Sequence, residues 1–256
     1  MPDHPYPILE YDDSPRAVIE PGEIIRPADV PERCVLVFFQ EVITRLRESE
    51  RLRQIDERRS EIGPHPVYEL RLREGGSVAV MHPGVGAPLA AALLEELIAL
   101  GCKKFIACGG AGVLDREIAV GHVFVPTAAV RDEGTSYHYL PPSREVPTQA
   151  QAVAVIERVL QEYDIPYLRG KTWTTDAFFR ETEGKVRRRL AEGCLTVEME
   201  AAAFFAVAQF RGVAFGQMLY TGDDVSGQAW DTRMWQGRTS TREKLFWLAA
   251  EACLGL

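Results

Sequence analysis

The sequence predicts an α/β layered fold in one domain. Short apolar runs suited to strands alternate with helix-spaced segments along most of the 256 residues. Residues 34–39 (CVLVFF) form a continuous apolar run, as expected of a strand with helices on both faces of its sheet. No internal repeat or linker divides the chain.

Residues 1–33 are rich in proline and acid and carry little periodicity. They read as an irregular arm that wraps the domain or a neighbour, leaving residues 34–256 as the domain itself. Residues 40–60 predict a helix, with Val42, Ile43, Leu46, Leu52 and Ile55 at roughly helical spacing. The charges between Arg45 and Arg59 then form a solvated face or a partner surface. Residues 67–73 and 78–82 flank Glu74-Gly75-Gly76 and predict a hairpin. Gly84-Val85-Gly86-Ala87-Pro88 leads into an apolar helix over 89–100. A strand over 104–108 ends at Gly109-Gly110-Ala111-Gly112. A strand over 122–130, a polar loop over 131–144, a helix over 148–163 and a strand over 167–174 follow. The chain continues with a short helix over 183–192, an alanine-rich buried helix over 199–210, a strand over 213–221 and a closing helix over 239–254.

The charge balance, 29 basic against 37 acidic residues for a net charge of -8, argues against a general nucleic-acid binder, which needs a basic face for phosphates. Cys34, Cys102, Cys108, Cys194 and Cys253 are scattered and odd in number. That disfavours a disulfide framework or zinc site and makes a reducing cytoplasm the simplest home. The N-terminus lacks a basic segment followed by an apolar one, so it does not read as a signal peptide. No apolar run approaches the roughly 20 residues that span a bilayer.

Four segments carry candidate chemistry, each just past a predicted strand end, where ligands gather in α/β sheets. Gly109-Gly110-Ala111-Gly112 lets the backbone approach a ligand, or is a tight turn. Phe178-Phe179, after the polar strand end Thr174-Thr175-Asp176, suits stacking on a planar base, or core packing. Glu198-Met199-Glu200 opens the alanine-rich helix. Its acids serve the helix dipole, or they accept hydrogen bonds from two sugar hydroxyls, since a buried carboxylate needs donors. Thr221-Gly222-Asp223-Asp224 pairs two acids suited to a general acid, because burial and a like charge raise a carboxyl pKa; the alternative is a solvated turn.

Together these segments resemble the purine and uridine phosphorylase superfamily, including its nucleosidase branch. The match runs from about Cys34 to the C-terminus, and Val197-Glu198-Met199-Glu200-Ala201-Ala202-Ala203 is its most specific part. The resemblance implies a single-domain three-layer α/β/α sandwich with a central mixed sheet. It implies ribose binding by Met199 and Glu200, with Glu198 beside them. It implies base binding by Phe178, Phe179, Gly110 and Ala111. Asp223 falls where purine-cleaving members donate a proton toward N7, with Gly222 replacing a serine. The arginine of uridine-specific members is missing there, and their base-reading pair is missing near Thr182 and Gly184, so the implied substrate is purine-like. The implied phosphate arginines are missing too. The segment after the first strand reads Phe38-Phe39-Gln40-Glu41, and Ala107 stands where the second arginine is expected.

Glu41 lies close to the position of the nucleosidases' water-activating glutamate. The resemblance therefore favours hydrolysis over phosphorolysis, ahead of a binding protein without turnover. Asp223 and Glu41 are the expected catalytic residues. Burial or Asp224 would have to raise the Asp223 pKa above its ordinary value. No metal or organic cofactor is implied, and phosphate enters only as co-substrate if cleavage is phosphorolytic. The expected partners are a small-molecule nucleoside and copies of the same chain in a homo-oligomer (dimer, trimer or hexamer), with no nucleic acid and no membrane. In that oligomer the 131–144 loop, with Tyr137, His138 and Tyr139, or the arm would lie near a neighbour's site. A Rossmann-type dehydrogenase is discounted, because Gly110-x-Gly112 lacks the third glycine.

Overall fold

The computed structural model describes residues 4–72 and 75–256. One mixed sheet runs through the molecule, and helices cover both of its faces. Its strands are β1 (Arg33–Val37), β2 (Leu52–Ser60), β3 (Gly63–Arg71), β4 (Ser77–Met81), β5 (Lys104–Val113), β6 (Val123–Asp132), β7 (Glu145–Pro147), β8 (Tyr167–Thr175), β9 (Cys194–Glu198) and β10 (Ala214–Asp224). The helices are α1 (Pro21–Ile24), α2 (Gln40–Glu48), α3 (Ala87–Leu100), α4 (Ala150–Glu162), α5 (Glu183–Ala191), α6 (Ala201–Arg211) and α7 (Thr239–Leu254).

The continuous apolar run of β1 works as its sequence suggests. Val35 and Val37 enter one core with residues of α2, α4 and α7, while Cys34 and Leu36 enter the other with residues of α3 and α6. Successive side chains point to opposite faces, so a strand covered on both sides must be apolar throughout. This is the layered mixed α/β architecture the resemblance implied.

Half of the sheet also closes on itself. β5 pairs with β10, β10 with β6, β6 with β8, β8 with β9, and β9 returns to the far end of β5 at Gly112 and Val113. Phe124, Leu219 and Ala111 form one apolar cluster of this circuit, with Leu168 and Leu195 packed against it.

The expected helix over 40–60 is corrected by the structure. Only residues 40–48 are helical. Glu50 takes a left-handed φ of 56, and the chain returns as β2 along β3. The charge-rich segment that reads as a helix face is the outer edge strand of the sheet, where charges block pairing with other chains. Arg53 there pairs with Glu69 of β3 at 2.7 Å. The hairpin of β3 and β4 forms as expected, although Arg73 and Glu74 lie outside the described residues.

Gly109-Gly110-Ala111-Gly112 is not a turn but the second half of β5. Glycine is required by close approach. A Cβ on Gly109 would stand 3.0 Å from Phe38, and one on Gly110 3.0 Å from Tyr220. The arm packs on its own chain: Ile25 is buried, and Arg211 of α6 pairs with both Glu20 and Glu95. Among the described residues no helix is long and apolar enough to cross a membrane.

Candidate active site

A cavity of about 690 Å³ opens beside the ends of β5, β9 and β10 and the Phe38–Phe39 pair that follows β1. Every residue expected in the site lines it except Glu41. Among the described residues no three His, Cys, Asp or Glu side chains gather as a metal set.

The β9–α6 junction supplies the first carboxyl group. Glu200 is buried, and its Oε1 accepts from the Gly86 N–H at 2.6 Å. Gly86 takes φ 90, a conformation that side-chain residues rarely adopt, just before α3. Glu198 also borders the cavity, but its oxygens are engaged. Oε1 accepts from Thr174 Oγ1 at 2.6 Å, and Oε2 accepts from the N–H groups of Glu200 at 2.8 Å and Ala201 at 2.6 Å. It caps α6, whose first N–H groups lack helical partners. Burial first, and the Glu198 charge second, push the Glu200 carboxyl above its usual range.

The end of β10 supplies the second. Asp223 Oδ2 accepts from Trp230 Nε1 at 2.7 Å. Asp224, expected to act on Asp223, is instead ion-paired with Arg233 at 2.8 Å and takes the Ser226 N–H at 2.8 Å. Burial alone would raise the Asp224 carboxyl, but these bonds and the Arg233 charge outweigh it and hold it low. The acid facing Asp223 is Glu181, three residues beyond Phe178. Burial and the Asp223 charge, against an opposing Lys185, push Glu181 up to about 7. Its carboxyl has no hydrogen bond or ion pair among the described residues. Phe178 and Phe179 border the cavity, 52% and 88% exposed with ring centroids 4.0 Å apart, so they are not core packing.

Glu41 stands outside the lining because Arg242 of α7 reaches it first, with Nη1 donating to Glu41 Oε1 at 2.7 Å. Arg242 lines the cavity, donates through Nε to the Tyr220 hydroxyl at 3.1 Å, and lies over the rings of Phe39 and Trp235. Arg131, another candidate for binding an anion, is consumed by its own loop through Ser136, Leu140, Pro141 and Ser143.

Glu181, Arg242 and Gln217 are absent from the sequence reading. Only Gln217 had a visible signal, as a lone amide within the apolar run of β10.

Residues 32–244 match the phosphorylase superfamily, and the chain therefore belongs to that superfamily. The guanosine phosphorylase of Halorubrum lacusprofundi is 34% identical over 145 residues, 56% of this chain and 59% of that relative. The uridine phosphorylase of Treponema pallidum is 31% identical over 153 residues, again 56% and 59%. The aligned part thus spans 59% of each curated relative's length. Among solved structures, the purine nucleoside phosphorylase from Toxoplasma gondii in complex with immucillin-H superposes with a TM-score of 0.77 at 20% identity, over 90% of this chain and 96% of that one. The AMP nucleosidase from Bacteroides thetaiotaomicron gives 0.69 at 22% identity, over 88% and 87%. At these identities the likeness is one of fold.

Proposed function

We propose that this chain cleaves the N-glycosidic bond of a purine-type nucleoside and passes the ribosyl group to water. One observation carries the reading: a single cavity holds a buried carboxyl, Glu200, fit for sugar hydroxyls, and a second acid pair, Asp223 and Glu181, able to hold a proton near neutrality. The bond from C1′ to the base nitrogen breaks with its electron pair leaving on the base. The base takes the proton of the Asp223–Glu181 pair while Glu200, whose ionised form the bound sugar hydroxyls favour by donating to it, stabilises the cationic sugar. Water bonds to C1′, and the proton it sheds restores the acid pair through solvent. Phe178 stacks on the base, Met199 packs on the ribose, and Glu198 positions the loop that carries Glu200. The strand of Gly110 and Ala111 leaves room for the base beside Asp223. No cofactor enters this scheme.

Water is preferred to phosphate because Arg242, the cationic side chain lining the cavity among the described residues, is already matched by Glu41. A dianion entering there loses hydration and gains few free charged donors. Phosphorolysis is the second reading, favoured by Arg242's place in the wall and by the names of the relatives. Product chromatography on a purine nucleoside decides. Free ribose, at a rate unchanged by added phosphate, is expected; ribose 1-phosphate rising with phosphate overturns the hydrolytic reading.

The same reading includes a homo-oligomer. Val85, Phe178 and Phe179 border the cavity at 64%, 52% and 88% exposure, an apolar rim that a neighbouring copy would cover. Sedimentation at micromolar concentration is expected to show more than one chain, and a fully active monomer defeats this.

A further inference from the structure

We propose that Gln217 is the positioning residue that holds the attacking water in the cavity. The proposal rests on the hydrolytic reading above.

Gln217 is 1% exposed, lines the cavity, and has no hydrogen-bond partner at either Nε2 or Oε1. An amide unpaired at both ends in the interior carries the full desolvation cost of donor and acceptor. Phe215, Met218 and Leu219 near it on β10 are buried in the core, so a polar side chain kept there fits a role with a ligand. Its surroundings are apolar: Ala107 is its register partner on β5, and Phe38 and Leu219 line the same cavity. Gln217 and Asp223 border the same cavity from β10, so a nucleoside whose base meets the acid pair can turn its C1′ toward the amide.

The amide's chemistry selects the occupant. Nε2 offers two donors and Oε1 accepts through its lone pairs, so a group that both accepts and donates satisfies it. Water does both. A hydrogen phosphate dianion carries one proton too, but it also brings two negative charges that a neutral amide does not compensate. Held by Gln217, the water keeps a lone pair for C1′ while one of its protons is bonded to Oε1. As the C1′–O bond forms, the other proton leaves to solvent and returns to the acid pair, which has given its own to the departing base.

The test compares wild type with Gln217→Met, which keeps the length and volume and removes the amide. The expected result is a fall in kcat for ribose release of about tenfold, the worth of one hydrogen bond. KM for the nucleoside should stay within about twofold, and the melting temperature should not fall, since an unpaired buried amide has gone. Free ribose from wild type with an unchanged kcat in Gln217→Met overturns the inference and leaves the hydrolytic reading standing. A parallel loss of kcat, KM and melting temperature also overturns it, by making Gln217 a packing residue. Ribose 1-phosphate as the wild-type product removes the reading itself, and the inference with it.

Discussion

Asp223→Asn is expected to lower turnover on the best purine nucleoside by about 10²–10⁴-fold, the usual effect of removing a general acid. Asparagine keeps the size and can still meet Trp230, so the fold and ribose binding should survive. What it removes is a site for the proton that the leaving base must take. Its partner gives a second signature. Glu181, pushed up to about 7, is neutral below that pH and charged above it, so a step that needs the proton fails as pH rises. The log of kcat/KM should therefore bend downward near pH 7, and Glu181→Gln should remove that bend. The groups that set this limb are Asp223 on β10 and Lys185 on α5. Near-normal turnover in Asp223→Asn, or an unmoved limb in Glu181→Gln, would show that the base's proton comes from elsewhere.

Glu200→Gln should weaken ribonucleosides far more than 2′-deoxyribonucleosides. A carboxylate accepting from a sugar hydroxyl makes a charge-assisted bond of about 1.5–3 kcal/mol, or roughly 10- to 100-fold in kcat/KM. The deoxy sugar makes only part of it. The Gly86 N–H still finds an acceptor in the glutamine carbonyl, so the loop before α3 should hold. Measuring kcat/KM for matched ribo and deoxyribo substrates separates the cases. Equal losses for the two sugars place Glu200 outside the sugar contact.

What the sequence revealed of this site is unevenly spread, for physical reasons. Asp223, Met199, Glu200 and the phenylalanine pair are contiguous motifs at strand ends, and motifs of that kind survive reading in one dimension. Arg242 reaches Glu41 across 201 positions of sequence, and nothing near either residue announces the other. Glu41 shows the same limit from the other side: its position resembled a water-activating acid, but a distant arginine decides what it faces. Glu198 looked like a twin of Glu200, yet backbone donors two and three residues on take up one of its oxygens. In the fold, β1 and α7 were legible because an apolar run on a doubly covered strand and a long closing helix leave strong patterns. β2 was not. Charged residues at an exposed edge carry the spacing of a helix face equally well, and the reversal at Glu50 depends on a single left-handed residue. The glycine half of β5 was misread because glycine signals a turn locally, whereas here it admits Phe38 and Tyr220 from elsewhere in the chain.

The strand circuit also orders events in time. β10 lies between β5 and β6, both earlier in the sequence, and among the described residues no other strand pairs with both. Until β10 arrives, β5 presents a bare row of backbone donors and acceptors along residues 104–113, the kind of edge that recruits other chains. The late strand that removes this hazard is also the one carrying Gln217 and Asp223. A nascent chain stalled before residue 214 would therefore be sticky and would lack one wall of the candidate site, so that escape from aggregation and completion of the cavity are one insertion.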